Sequence, residues 1–181
     1  CRECFTVKDA DNYSIVGMDA KGLELRMLAH YMNDEDYMDI VLHGDPHTAN
    51  QKAAGLDTRS QAKTFIYAFL YGAGAEKLGT VVNGTARDGA QLKKQFLSNM
   101  PTLEKLIHRV QGASERGNVI GLDGRRIFAE SSFKCLNYLL QTFEAITVKT
   151  AVVNAFKMFK DENIEVDILG LIHDEVQVQT K

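Results

Sequence analysis

Arg59, Lys63, Tyr67 and Tyr71 recur at strict four-residue spacing in the segment TRSQAKTFIYAFLYGAG, residues 58–74. On an α-helix turning about 100° per residue, each step of four advances only about 40°, so these side chains form one stripe. Ala62, Phe65, Ile66, Phe69 and Leu70 fall on a separate broad arc, the face a core would take. Two cations one turn apart suit a polyphosphate, and a tyrosine one turn further on suits a base attached to it. A solvated helix edge with two tyrosines whose tips reach water accounts for the same stripe. Both readings stand at this point.

A second set of chemical groups is acidic. Asp19 closes the β-rich run NYSIVGMD just before a helical pattern, and Asp174 and Glu175 occupy the turn of VDILGLIHDEVQVQT, which reads as strand, tight turn, strand. Carboxylates at the ends of adjacent strands are rigidly held at a sheet rim and can share a pair of Mg²⁺ ions, the arrangement that two-metal phosphoryl chemistry requires. Acids at strand ends are also ordinary turn residues. His173, beside Asp174, offers a metal ligand, a base or a contact. His47 sits in the first turn of a helix, in reach of a phosphate. His30, His43 and His108 read as surface groups.

Several elements must position these groups. Helices are expected over 23–32, 35–44, 45–54, 58–71, 86–100 and 101–117. Asp45-Pro46 marks the start of the third, Asp57 or Thr58 caps the fourth, and Pro101 opens the last. VIGLDGRRIF, 119–128, suggests a hairpin around Asp123-Gly124, and a long amphipathic stretch runs from about Ser132 to Lys160. The expected fold is α+β, mainly helical, with a small antiparallel sheet collecting the carboxylates.

The 181 residues carry a formal net charge of −3 and 45% apolar residues, enough for a core and against bulk disorder. Near-neutral charge argues against a whole-surface nucleic-acid binder while leaving room for a local basic groove, with Arg59 and Lys63, Lys93 and Lys94, and Arg125 and Arg126 as clusters. No apolar run approaches the roughly 20 residues of a membrane span. Cys1, Cys4 and Cys135 are too few and too uneven for a disulfide framework. Cys1-x-x-Cys4 lacks the partner ligands of a zinc site and reads as two incidental thiols. The absence of an initial Met and the stop at Lys181 read as the ends of a fragment.

DAKGLELR (19–26), R-x-x-x-K-x-x-x-Y-x-x-x-Y-G (59–72) and HDE (173–175) occur in that order, together with GDPHT, GLDGR and LNYLLQ. Together they resemble the polymerase motifs of family A, the DNA polymerase I-like enzymes, and most of all the replicative branch of short-tailed phages, over residues 12–179. The resemblance implies DNA-templated addition of deoxynucleotides to a primer 3′ end in a cytoplasmic setting, that of the host cell for a phage protein. It implies a palm built from residues 1–34 and 119–181 and fingers from 35–118.

It also implies roles. Asp19, Asp174 and the carbonyl of Ala20 would hold two Mg²⁺ ions, with Glu175 beside them. Arg59, Lys63 and His47 would grip the triphosphate, Lys63 protonating the leaving pyrophosphate. Tyr67 would stack under the nucleotide and Glu24 would block a 2′-hydroxyl. Tyr71 and Gly72 would shape the template pocket. Asn137 and Gln141 would read the minor groove, His173 would lie near the primer end, and Arg125 would contact DNA. Many relatives carry Arg where this chain has Phe133, which removes one minor-groove contact. A processivity factor would bind a thumb that these residues do not include, and the fragment alone is expected to be inactive.

Three other functions compete. A single-subunit RNA polymerase shares the acids and a fingers tyrosine, but Glu24 fits deoxyribonucleotide selection. A two-metal nuclease or phosphatase leaves the cation–tyrosine stripe unexplained. A catalytically incompetent nucleic-acid-binding fragment leaves the intact acids unexplained.

Overall fold

The computed structural model describes residues 6–117 and 119–181; Cys1 and Cys4 lie outside them. The chain divides into two compact units. One comprises the residues up to Leu23 with Thr142–Lys181, the other Glu24–Gln141.

The first unit is built on a three-stranded antiparallel sheet of β1 (Ser14–Asp19), β2 (Val166–Ile172) and β3 (Glu175–Thr180), in the order β1-β3-β2. The VQVQ alternation of β3 turns Val176 and Val178 to one face and Gln177 and Gln179 to the other, and all four are buried. β1 pairs with β3 from Ser14 opposite Thr180 to Asp19 opposite Glu175, without interruption. β2 pairs on the other side, with an irregularity between Ile168 and Gly170. At one end of the sheet Glu165 accepts from Tyr13 Oη at 2.5 Å and pairs with Lys8 Nζ at 2.9 Å and Lys181 Nζ at 2.7 Å. Lys181 first, then Tyr13 and Lys8, bring the Glu165 carboxyl down to about 2. The latter part of α8 (Cys135–Asp161), from Thr142 on, also belongs to this unit.

The second unit is helical. α1 (Leu23–Met32) buries the apolar stripe Leu25, Leu28 and Met32, and Ala29 with it. α2 (Glu35–His43) and α3 (Pro46–Ala54) start on Asp34 and Asp45, whose carboxylates accept backbone N–H groups of Tyr37 and His47. α4 (Arg59–Leu70) opens on a capping box between Thr58 and Gln61. Its predicted core arc, Ala62, Phe65, Ile66, Phe69 and Leu70, is buried throughout. Phe65 and Phe69 meet Phe96 of α6 (Ala86–Asn99) edge-on, at centroid distances of 5.1 and 5.4 Å. α7 (Pro101–Glu115) adds Leu103, Leu106 and Val110 to the core.

Four local expectations change. α5 (Ala75–Thr80) is a helix that the sequence pattern does not announce. The hairpin at 119–128 reduces to a single bridge between Ile120 and Arg126. α8 is not amphipathic in the expected way: Leu136, Leu140, Phe143 and Val148 are buried while Val153 and Met158 are exposed on the same helix. Glu175 is the first residue of β3 rather than a turn residue. Among the described residues no helix is long and apolar enough to cross a membrane.

α5 and α6 approach so closely that side chains are excluded between them. A Cβ on Gly89 would stand 1.9 Å from the carbonyl oxygen of Ala75 and 2.4 Å from the amide nitrogen of Gly79. Both are backbone atoms that cannot swing aside. Gly89→Ala is therefore expected to lower the unfolding free energy by about 3 kcal/mol, the upper range for overpacking. Gly117→Ala, at φ +66° with open space around it, should cost only about 1 kcal/mol through backbone strain. Chemical denaturation of the two variants against the parent chain measures the difference, and equal losses would contradict the close helix contact.

Candidate active site

The carboxylates converge through backbone pairing. Asp19, the last residue of β1, lies opposite Glu175 in the register. One step beyond the ladder, the Ala20 N–H donates to the Asp174 carbonyl at 3.2 Å. Asp19, Ala20, His173, Asp174 and Glu175 therefore share one end of the sheet. Asp19, Ala20 and Asp174 line a concavity of about 260 Å³ with Met18, Val176 and Thr147, Val148 and Ala151 of α8. The turn between β2 and β3 is two residues long, and its exposed His173 has φ +55°, a left-handed conformation that a non-glycine residue adopts at some cost.

Glu175 is turned to a neighbour. Its Oε1 accepts from Gln177 Nε2 at 3.0 Å, and it lies over Gly17, where an added Cβ would come within 3.6 Å of it. Among the described residues no three His, Cys, Asp or Glu side chains converge as a metal cluster. Two carboxylates beside a main-chain turn nevertheless form a hard-oxygen set, the type that takes a divalent ion whose remaining ligands come from substrate phosphates and water.

The cationic stripe forms in the helical unit. Arg59 and Lys63 are exposed on α4, Tyr67 is half-buried, and Tyr71 at the helix end is 54% exposed. His47, in the first turn of α3, meets Tyr67 with ring centroids 6.0 Å apart. Burial, and then the positive charges of Arg59 and Lys63, hold the His47 imidazole below its usual range against the opposing pull of Asp45. Arg59 is clamped side-on: its Nε donates to Asp45 Oδ2 at 2.6 Å and its Nη2 to Asp45 Oδ1 at 3.1 Å. The pair lowers the Asp45 carboxyl well below the usual carboxylate range and raises the guanidinium. Glu24, in the first turn of α1, is 8% exposed, unusual for a carboxylate.

The remaining predicted residues also lie in this unit. Gly72, at φ +76°, lines a cavity of about 440 Å³ with Phe69, Lys93 and Phe133; a Cβ there would stand 3.5 Å from the Phe133 carbonyl oxygen. Phe133 is 69% exposed. Asn137 is half-buried with Nδ2 turned away from solvent, and Gln141 is exposed one turn on. Arg125 closes on its own loop, donating from Nε to Asp123 Oδ2 at 2.6 Å.

Two acidic residues escaped the sequence reading as site groups. Asp45 read only as a helix cap, because its contact with Arg59 spans two helices. Glu144 lies on α8, where its burial and the charge of Asp174 raise its carboxyl, with His173 acting in the opposite direction. Nothing local in the sequence marks either.

Comparison with known proteins places the chain. A family model described as DNA polymerase family A matches residues 1–181. The chain is 39% identical to the DNA-directed DNA polymerase of Enterobacteria phage T3 and 38% identical to that of Escherichia phage T7, in each case over 90% of this chain and 26% of the relative. It thus spans about a quarter of the length of these relatives. A solved structure, the POL domain of Pol1 from M. smegmatis in complex with DNA primer-template and dNTP, superposes with a TM-score of 0.82 over 95% of this chain and 34% of that one, at 20% identity. That likeness confirms the α+β fold.

The His47 environment predicts its titration. With the folded-state pKa below the ordinary value near 6.5, the unfolded chain takes up the proton first. Stability from this group is present above that value and is lost as pH falls below it toward the folded pKa. Arg59→Ala should raise the His47 pKa, and Lys63→Ala should raise it by less, in the order of their charge effects. Titration of the imidazole ring protons by NMR reads both. A His47 titrating at or above the ordinary value, or unmoved by Arg59→Ala, would contradict the cluster.

Proposed function

Because this chain belongs to DNA polymerase family A, we propose that it supplies the palm (1–34 and 119–181) and fingers (35–118) of a DNA-templated DNA polymerase acting in the host cytoplasm. Its substrates are primer–template DNA and deoxynucleoside triphosphates, and a processivity factor would engage a thumb outside these residues. The observation that carries the reading is the backbone juxtaposition of Asp19–Ala20 with Asp174–Glu175 at one sheet end.

In this reading Asp19, Asp174 and the Ala20 carbonyl would hold two Mg²⁺ ions, which would supply Lewis-acid stabilisation of the charge that develops on the reacting oxygens. The primer 3′ oxygen forms a bond to the α-phosphorus, the bond to pyrophosphate breaks, and the proton of the 3′-hydroxyl passes to solvent water. Arg59 grips the triphosphate through its forked donors and His47, held neutral, offers one ring N–H. Lys63 delivers a proton to the departing pyrophosphate. Tyr67 stacks under the nucleotide, and the buried Glu24 excludes a 2′-hydroxyl. Tyr71 and Gly72 border the templating base, Asn137 and Gln141 read the minor groove, and His173 lies near the primer terminus. Arg125 reaches DNA by exchanging Asp123 for a phosphate, and Glu175 positions the sheet end through Gln177.

In the full-length enzyme, Asp174→Ala and Asp19→Ala should each lower single-nucleotide extension by at least about a thousandfold, because a ligand to transition-state charge is removed. Primer–template affinity should stay within a few-fold of wild type. Near-normal turnover in the Asp174 variant would sink the two-metal assignment.

Tyr67 gives a second test. A dideoxynucleotide leaves a polar space empty that the Tyr67 hydroxyl can fill and a phenylalanine cannot. The missing interaction is worth on the order of 1–3 kcal/mol. The wild-type enzyme should accept dideoxynucleotides readily, and Tyr67→Phe should discriminate against them roughly tenfold to a hundredfold with little change on normal substrates. Unchanged dideoxy selectivity would remove Tyr67 from the sugar pocket.

A further inference from the structure

Arg59 is the first residue of α4 and sits where an anion-gripping side chain has most freedom, on an exposed helix end. It is not left free there. Both oxygens of Asp45 take up its Nε and Nη2 edge, at 2.6 and 3.1 Å. A guanidinium carries five donors in a planar fork. With the Nε side occupied, both hydrogens of Nη1 and one of Nη2 remain, and one from each nitrogen runs parallel at the end of the fork. That end is itself a two-pronged donor matched to a phosphate. Asp45 thus fixes the plane of the guanidinium while leaving a bidentate face open.

Asp45 is well placed for this task because it is itself immobilised. As the N-cap of α3 its Oδ1 accepts from the His47 N–H at 3.1 Å and its Oδ2 from Thr48 Oγ1 at 2.8 Å. The same cap sets the first turn of α3, from which His47 reaches Tyr67. One carboxylate therefore organises Arg59 and the backbone that carries His47, two of the three groups assigned to the triphosphate.

We infer that Asp45 is a positioning residue for nucleotide binding, holding Arg59 so that its outer edge presents two parallel donors to the incoming triphosphate. The inference rests on the polymerase reading above. It has a consequence opposite to simple electrostatics. Asp45 cancels one positive charge beside a polyanion site, so as a mere counter-ion it would weaken nucleotide binding and its removal would tighten it. As a positioning group its removal weakens binding. The sign of the change in KM separates the two.

The test uses the full-length polymerase and single-nucleotide incorporation with a deoxynucleoside triphosphate. Asp45→Asn retains an amide oxygen able to cap α3, but turns a donor or a weaker acceptor toward Arg59. Asp45→Ser also caps the helix and is too short to reach the guanidinium. Thermal unfolding of both variants controls for folding. Each should raise KM roughly fivefold to tenfold with kcat changed by less than about twofold, because Arg59 grips ground state and transition state alike. In an Arg59→Ala background the same substitutions should add nothing further, since their effect passes through Arg59. A lower or unchanged KM in both Asp45 variants, or an effect that persists undiminished without Arg59, overturns the positioning role while leaving the polymerase reading intact. An unchanged KM in Arg59→Ala itself, or an enzyme without extension activity, overturns the polymerase reading and this inference with it.

Discussion

The central strand β3 is the constraint on which the sheet end depends. It is hydrogen-bonded on both sides, to β1 and to β2. The approach of the Asp19–Ala20 and Asp174–Glu175 main chains is consequently set by strand pairing, at a spacing of about 4.8 Å, and not by any attraction between the carboxylates, which would repel. Register is protected by burial. A one-residue slip of β3 would exchange the buried Val176 and Val178 with the buried, hydrogen-bonded Gln177 and Gln179, and would take Glu175 out of its place opposite Asp19. The same pattern that specifies the fold thus specifies where the acids stand. The left-handed backbone of His173 fits this picture: a two-residue link between strands paired along their length is over-determined, and the ladders on either side of the turn hold a conformation that the residue alone would avoid.

α4 fixes its chemistry by angular phase rather than by register. Phe65 and Phe69 lock one arc against Phe96, so the phase of Arg59, Lys63 and Tyr67 follows. The arrangement is electrostatically unfavourable for an isolated helix. Two cations occupy its N-terminal half and the first turn holds no acid, where the macrodipole favours the reverse. Asp45 and the capping box offset the penalty locally. The unfavourable field for cations is the favourable one for an anion, so a bound phosphate would relieve the strain that the helix carries without it.

Legibility in the sequence tracked how local each feature was. Helix starts at Asp45, Thr58 and Pro101 follow from short-range capping and proline rules, and the structure places them within a residue of expectation. The α4 wheel and the β3 alternation are single-element periodicities and were equally readable. α5 is six residues long, contains Gly79 and is stabilised by its close fit to α6, so no local propensity announces it. The 119–128 hairpin forms only in its shortest form, for the converse reason. Its Asp-Gly turn is present and Val119 is buried, but Ile120, Leu122 and Phe128 remain exposed, and the pairing extends no further than the one bridge. α8 misled because its apolar residues surround the helix instead of marking one side. The contacts of Asp45 with Arg59, and of Glu144 with the charge of Asp174, join residues from different elements, and no single-element pattern encodes them.

The two cations of the stripe are not equivalent, and the difference matches the division of labour in the proposed reaction. Arg59 is braced by a carboxylate on one edge. Its charge is permanent, its geometry planar, and its proton is not available at neutral pH. Such a group suits a phosphate whose charge hardly changes during the reaction. Lys63, one turn on, is exposed and enters no ion pair shorter than 4.0 Å among the described residues. An ammonium on a four-carbon stem is a rotatable point charge that can lose its proton, which is what a developing leaving group requires. Exchanging the two residue types along α4 would preserve the charge of the stripe and lose both functions: the fork would stand where a proton must move, and the flexible ammonium where a plane must be held.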